Sequence, residues 1–162
     1  MKTKIYPNLA ITLVVIFSIS CNKIIKDDDS LIFSVHYSGG WTSIDETLTI
    51  NSDTTHYSRS YFDIYNIRET VERKSYQTTI KTPDGQWDRL TKAFNLEAFA
   101  KIRNGSCRAC VDGVDETFSA TKNGETYSFY NGIADEHYQQ MQGFFDSIYE
   151  QLETFRNNAE YK

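Results

Sequence analysis

The residue pattern best able to carry chemistry is Cys107-Arg108-Ala109-Cys110, a C-x-x-C pair. Two thiols at this spacing can close a small disulfide ring, exchange electrons with another dithiol, or supply half of a zinc site. A redox site wants its first cysteine at a helix N-terminus, after a core strand, where the dipole lowers the thiol pKa. Here the pair follows Asn104-Gly105-Ser106 and precedes Val111-Asp112-Gly113, which reads as a loop. Zinc would need two more ligands, and there is no second C-x-x-C and no paired-histidine motif. The expectation is a structural disulfide between Cys107 and Cys110, with redox or metal chemistry as the alternatives. Asp112-Gly113-Val114-Asp115-Glu116 lacks the spacing and distal Glu of an EF-hand, so it reads as a carboxylate-lined turn. His36, His56 and His137 lie far apart, and no H-E-x-x-H, G-x-S-x-G or P-loop occurs. No catalytic residue, metal ligand or cofactor is assigned.

Ser38-Gly39-Gly40-Trp41 is the second candidate. Gly-Gly permits positive φ and a sharp reversal. A Trp in an exposed turn is the type of residue that anchors interfaces. It can equally fold back over the open end of a core, since Trp is seldom left fully in water. Gly39, Gly40 and Trp41 are therefore candidate partner-binding residues.

The elements that must position these residues follow from periodicity. Leu31, Phe33, Val35 and Tyr37 alternate with polar neighbours and Ile32, as in a half-buried strand. Leu48 and Ile50 mark a second strand, residues 56–66 a third and residues 70–81 a fourth. In the fourth, Tyr76, Thr78 and Ile80 share one face and Arg73, Gln77 and Lys81 the other, which suits a sheet edge. Trp87, Leu90 and Phe94 fall at helical spacing, with Asp84 as the expected cap, and a short helical turn should hold Leu96, Phe99 and Ile102. Lys122-Asn123-Gly124-Glu125 predicts a two-residue type I′ hairpin that sets Ala120 opposite Tyr127 and Phe118 opposite Phe129. Tyr138, Met141, Phe145, Ile148, Leu152 and Phe155 form one apolar stripe, predicting a single helix from about Asp135 to Phe155 packed across the sheet. The expected fold class is α+β: an antiparallel sheet of four to six strands, with a long C-terminal helix and a shorter middle helix on one face.

The N-terminus sets the address. Lys2 and Lys4 precede an apolar run from Leu9 to Ile19, too short to cross a bilayer and of the length of a secretory signal core. Small residues Ser18 and Ser20 then lead into Cys21, and Lys26-Asp27-Asp28-Asp29 follows. The Cys21 segment resembles the lipobox of bacterial lipoproteins, and the Lys-Asp-Asp-Asp run resembles the lipoprotein export signal of Bacteroidota. The resemblance implies cleavage before Cys21, a diacylglyceryl thioether on its sulfur, and display on the outer face of the outer membrane. Two or three acyl chains anchor durably, since each buried CH₂ contributes about 0.8 kcal/mol. The implied organisation is a signal peptide at 1–20, an anchored cysteine and acidic linker at 21–30, and one domain at 31–162.

The chain has 162 residues, 17 basic and 22 acidic. Removing residues 1–20 takes Lys2 and Lys4 and no acid, which leaves 15 basic against 22 acidic, a net charge of −7. That balance argues against nucleic acid and against electrostatic adhesion to anionic lipid, so attachment rests on the acyl chains. Three features of the domain are similar to the emfourin-type family of small bacterial proteins. They are the first strand entering Gly39-Gly40-Trp41, the Leu90…Phe94…Phe99 segment, and the Asp112-Gly113…Asp115 turn before the hairpin and final helix. The type member of that family inhibits thermolysin-like metallopeptidases, so the resemblance implies a peptidase as partner, with another envelope protein as the alternative. The functional expectation is a non-enzymatic, membrane-anchored protein-binding module; the alternative is an envelope redox or metal-dependent enzyme using the Cys107/Cys110 loop.

Overall fold

Alternation of apolar and polar residues builds the sheet. The computed structural model describes residues 31–40, 43–62 and 73–159. Strand β1 (Ile32–Gly39) pairs antiparallel with β2 (Ile44–Ile50) on one side and with β5 (Val114–Lys122) on the other. Beyond β2 lie β3 (Thr54–Phe62) and β4 (Arg73–Lys81), and β6 (Glu125–Tyr130) closes the far side. The order β4-β3-β2-β1-β5-β6 makes a six-stranded sheet in which every neighbouring pair is antiparallel. The charged strand β4 is an edge, as its pattern predicts. Residues 63–66 and 70–72 of the expected third and fourth strands lie outside the described residues.

The register puts one residue phase inward. Phe33 pairs with Ile50 and Ala120, Val35 with Leu48 and Phe118, and Leu48 with Tyr57. All are buried. The hairpin takes the predicted register, Ala120 against Tyr127 and Phe118 against Phe129. Asn123 and Gly124 both adopt positive φ, +54° and +82°, as a type I′ turn requires.

The helices cover the inward face. Helix α1 (Asp84–Ala93) buries Trp87 and Leu90, and the single turn α2 (Leu96–Phe99) buries Ala98 and Phe99. Phe33 meets Trp87, Phe94 and Phe144 at ring-centroid distances of 5.6, 4.7 and 4.8 Å. Two sequence expectations need correction. Asp84 is not the cap of α1: Pro83 holds that position without a side-chain bond, and Asp84 sits in the first turn. A carboxylate there still complements the positive end of the helix. The expected single C-terminal helix is two, α3 (Glu136–Gln140) and α4 (Gln142–Asn158). Met141, at φ −98° and ψ 4°, forms the joint between them. Met141 is fully buried, and its sulfur accepts the Asn95 N–H at 3.3 Å. The offset leaves both Phe144 and Phe145 in the core beside Ile148 and Leu152.

Candidate functional site

The two sequence candidates, far apart in the chain, meet at one end of the sheet. Gly39 ends β1 at φ +104° and Gly40 follows at +75°. A Cβ on Gly39 would stand 2.8 Å from the Ala109 Cβ, and one on Gly40 3.1 Å from a Val114 methyl. The β1–β2 turn therefore leans directly on the Cys107–Cys110 loop, and only a residue without a side chain fits at Gly39. Trp41 and Cys21 lie outside the described residues.

The loop is tied locally. Cys107 and Cys110 form a disulfide, S–S 2.11 Å, with Cα atoms 5.5 Å apart. Ala109–Val111 make a single 3₁₀ turn, and Asp112 turns left-handed at φ +62°. The Gly113 N–H then donates to the Arg108 carbonyl at 2.7 Å. Asp115 anchors the loop to β5: its Oδ1 accepts from the Asn131 amide at 2.6 Å and from the Arg108 and Ala109 N–H groups at 2.6 and 3.2 Å. The Asn131 amide, then these backbone donors, hold the Asp115 carboxyl below its ordinary pKa.

Asn131 is the residue that joins the parts, and the sequence pattern alone did not single it out. It is buried at 4% exposure and left-handed at φ +44°. Its Oδ1 accepts the Glu116 N–H at 2.9 Å, and its Nδ2 donates to the Ser106 carbonyl at 2.8 Å as well as to Asp115. One amide thus links β5, β6 and the cysteine loop. Next to it, the Gly105 N–H donates to the Tyr130 carbonyl, and the Tyr130 N–H donates to Asn104 Oδ1. The chain from Asn104 to Ser106 so runs along the end of β6.

Beneath this end, on the helix side of the sheet, lies a second polar cluster. Tyr37 donates to Glu116 Oε1, and Tyr149 donates to Oε2 at 3.2 Å. Burial, then the Glu116 carboxylate, pushes the Tyr37 phenol far above its ordinary pKa. Beside it, Glu46 is 1% exposed and takes a donor from Tyr57 at 2.6 Å and the Arg156 guanidinium at 2.6–3.2 Å. Burial pushes the Glu46 carboxyl up, but the bonds from Arg156 and Tyr57 outweigh it and hold the pKa below 4.5. Arg156 also sits over the Tyr37 ring, 5.1 Å from its centroid. The cluster clamps α4 to the sheet directly below the loop.

The contacts at this end brace the loop. A redox-active thiol needs an electropositive surrounding. Cys107 Sγ instead lies 3.5 Å from the Asp115 carboxylate, which has already taken the Arg108 and Ala109 N–H groups. Among the described residues, the Cys110 N–H points at that sulfur, at 3.1 Å. Among the described residues, no group of three His, Cys, Asp or Glu side chains could hold a metal ion. His36 meets Asp45 at 3.2 Å on the opposite face, and His56 and His137 stand elsewhere. What the loop presents outward is Val111, 78% exposed, flanked by exposed Arg108 and Asp112.

The frame is therefore an α+β protein with a disulfide-tied loop at one sheet end. Compared with protein-family models and with curated proteins, the chain matches none.

Proposed function

We propose that this chain is a lipid-anchored envelope protein, attached through acylated Cys21, that binds another protein without catalysis. The binding surface is the sheet end made by Gly39, Gly40 and the Cys107–Gly113 loop. The single observation that carries this reading is the contact of Gly39 with Ala109, which joins two candidates 70 residues apart into one rigid surface. A surface fixed before binding loses less conformational freedom on docking. The exposed Val111 supplies an apolar point on it. The emfourin-like features support a thermolysin-like metallopeptidase as the partner, and the lipobox and Lys26-Asp27-Asp28-Asp29 support the outer face of the outer membrane.

Two measurements test this. Intact-mass analysis of protein purified from membranes should find a diacylglyceryl group on Cys21; an unmodified N-terminus overturns the anchoring. Titration into a thermolysin-like peptidase should inhibit it, and Trp41→Ala and Val111→Asp should each weaken inhibition with near-UV circular dichroism unchanged. Equal inhibition by all three proteins overturns the assigned surface, and no inhibition by the parent removes the peptidase as partner.

A further inference from the structure

The Cys107–Cys110 disulfide lies in the open. Both cysteines and the two residues between them are exposed. Burial therefore does not keep thiols from it, and exposed disulfides are ordinarily the readily exchanged ones. Its surroundings are charged instead. From Cys107 to Glu116 the chain carries one basic residue, Arg108, against three acidic ones, Asp112, Asp115 and Glu116. One of these carboxylates reaches a sulfur: Asp115 Oδ2 stands 3.5 Å from Cys107 Sγ. It is held there, because Asp115 Oδ1 accepts from the Asn131 amide and from the Arg108 and Ala109 N–H groups. The same bonds keep the carboxyl below its ordinary pKa, so it is ionised wherever thiols react.

We infer that the Asp115 carboxylate is a charge filter on this disulfide: it turns away anionic thiols and admits cationic ones, and so selects what can open the loop. Exchange starts when a thiolate attacks one sulfur in line with the S–S bond. A bond forms to that sulfur, and the electron pair of the broken S–S bond leaves on the other, which takes a proton from water. A second thiolate then frees the attacked sulfur in the same way. Two small thiols are oxidised to their disulfide, and Cys107 and Cys110 are left reduced. Attack on Cys107 brings the incoming reagent up against Asp115. Attack on Cys110 drives the departing negative charge onto Cys107, beside the same carboxylate. Both routes therefore pass through its field. The Cys110 N–H, 3.1 Å from Cys107 Sγ, favours charge on that sulfur. It acts alike on every thiol, so the ranking by reagent charge stays in place. Arg108 offsets one of the three negative charges of the segment. The inference concerns the chemistry of the loop and holds whether or not the loop docks a partner.

Three small thiols test it: cysteamine, which carries a positive charge near its sulfur, 2-mercaptoethanol, which is neutral, and 3-mercaptopropionate, which is negative. Each is added to the folded protein at equal thiolate concentration and about 10 mM salt, where charges act over about 30 Å. Alkylation and peptide mass then follow the opening of Cys107–Cys110. The parent should react fastest with cysteamine and slowest with 3-mercaptopropionate. Asp115→Asn removes the charge and keeps a side-chain oxygen for the Arg108 and Ala109 N–H groups. In that variant the ratio of the cysteamine rate to the mercaptopropionate rate should fall about fivefold. In the parent the same ratio should fall likewise at about 1 M salt, where charges act over only about 3 Å. A substitution that merely loosened the loop would speed all three thiols alike and leave the ratio in place; that result overturns the proposal. A parent ratio that salt does not move overturns it as well.

Discussion

Replacing Asn131 with Ala should destabilise the protein out of proportion to the side chain's size. The truncation leaves the Glu116 N–H and the Ser106 carbonyl without their partner, at 2.9 and 2.8 Å in the native protein. Each such part-buried group forfeits about 1 kcal/mol. The backbone adds to this: Asn131 sits at φ +44°, a conformation that Asn tolerates and Ala resists by about 1 kcal/mol. The total is about 3 kcal/mol, a fall in Tm of roughly 10 °C for a domain of this size. The bond to Asp115 adds to the loss, but Asp115 is screened by solvent and is left out of that total. Asn131→Gly separates the two causes, because Gly accepts positive φ freely; it should lose about 2 kcal/mol, less than Ala. Urea unfolding of the three proteins with the disulfide intact measures both differences. A loss below about 1 kcal/mol in Asn131→Ala, or a Gly variant weaker than the Ala variant, would refute the assignment of Asn131 as the joint.

Four further outcomes follow from particular contacts. Gly39→Ala should cost about 2 kcal/mol, from positive φ and the 2.8 Å approach to the Ala109 Cβ; Ala109→Gly on top of it should restore part of the loss in a double-mutant cycle. Arg156→Leu should cost about 3 kcal/mol, because it strands the buried Glu46 carboxylate, and thermal melts will show whether it does. The Glu46 carboxyl is held below its ordinary 4.5, so the unfolded chain binds its proton first. Its contribution is complete above 4.5 and fades as pH drops through the lower native value; Glu46→Gln should therefore flatten the acid limb of a stability–pH curve. Gly143→Ala should stabilise by about 0.5 kcal/mol in urea, since the added methyl meets nothing nearer than Ala93 at 4.0 Å.

Much of the sheet was legible because its signals are local. A two-residue period marks the inward phase of β1 and β2, and Asn123-Gly124 sets the β5–β6 register through its own backbone conformation. Strand order was not legible, because placing β5 beside β1 depends on contacts some 80 residues apart that no local pattern encodes. Two carboxylates on the helix side of the sheet left a signal that could have been read. Glu46 shares the phase of Leu48 and Ile50, and Glu116 that of Phe118 and Ala120, so the alternation itself assigns both carboxylates to the buried face. A carboxylate in that phase demands a donor. Its identity, Arg156 across 110 residues, comes only from the packing of α4. The break at Met141 was hidden because the apolar stripe continues through it: periodicity records which residues face the core, not whether the backbone between them stays hydrogen-bonded.

The distribution of restraints carries the functional argument further. A disulfide across three residues closes so small a ring that chain entropy credits it with about 2 kcal/mol, modest beside the stability of a domain. Its greater effect is local. Together with Asp115, which grips two consecutive N–H groups inside the ring, and Asn131, which grips Asp115, it leaves Ala109 one position, directly against Gly39. Three linked restraints thus act on a loop that contributes no buried hydrophobic residue. Loops left to solvent are where chains are ordinarily mobile. A loop held this firmly, with an exposed Val at its tip, would lose little conformational freedom on docking, as the binding proposed above requires.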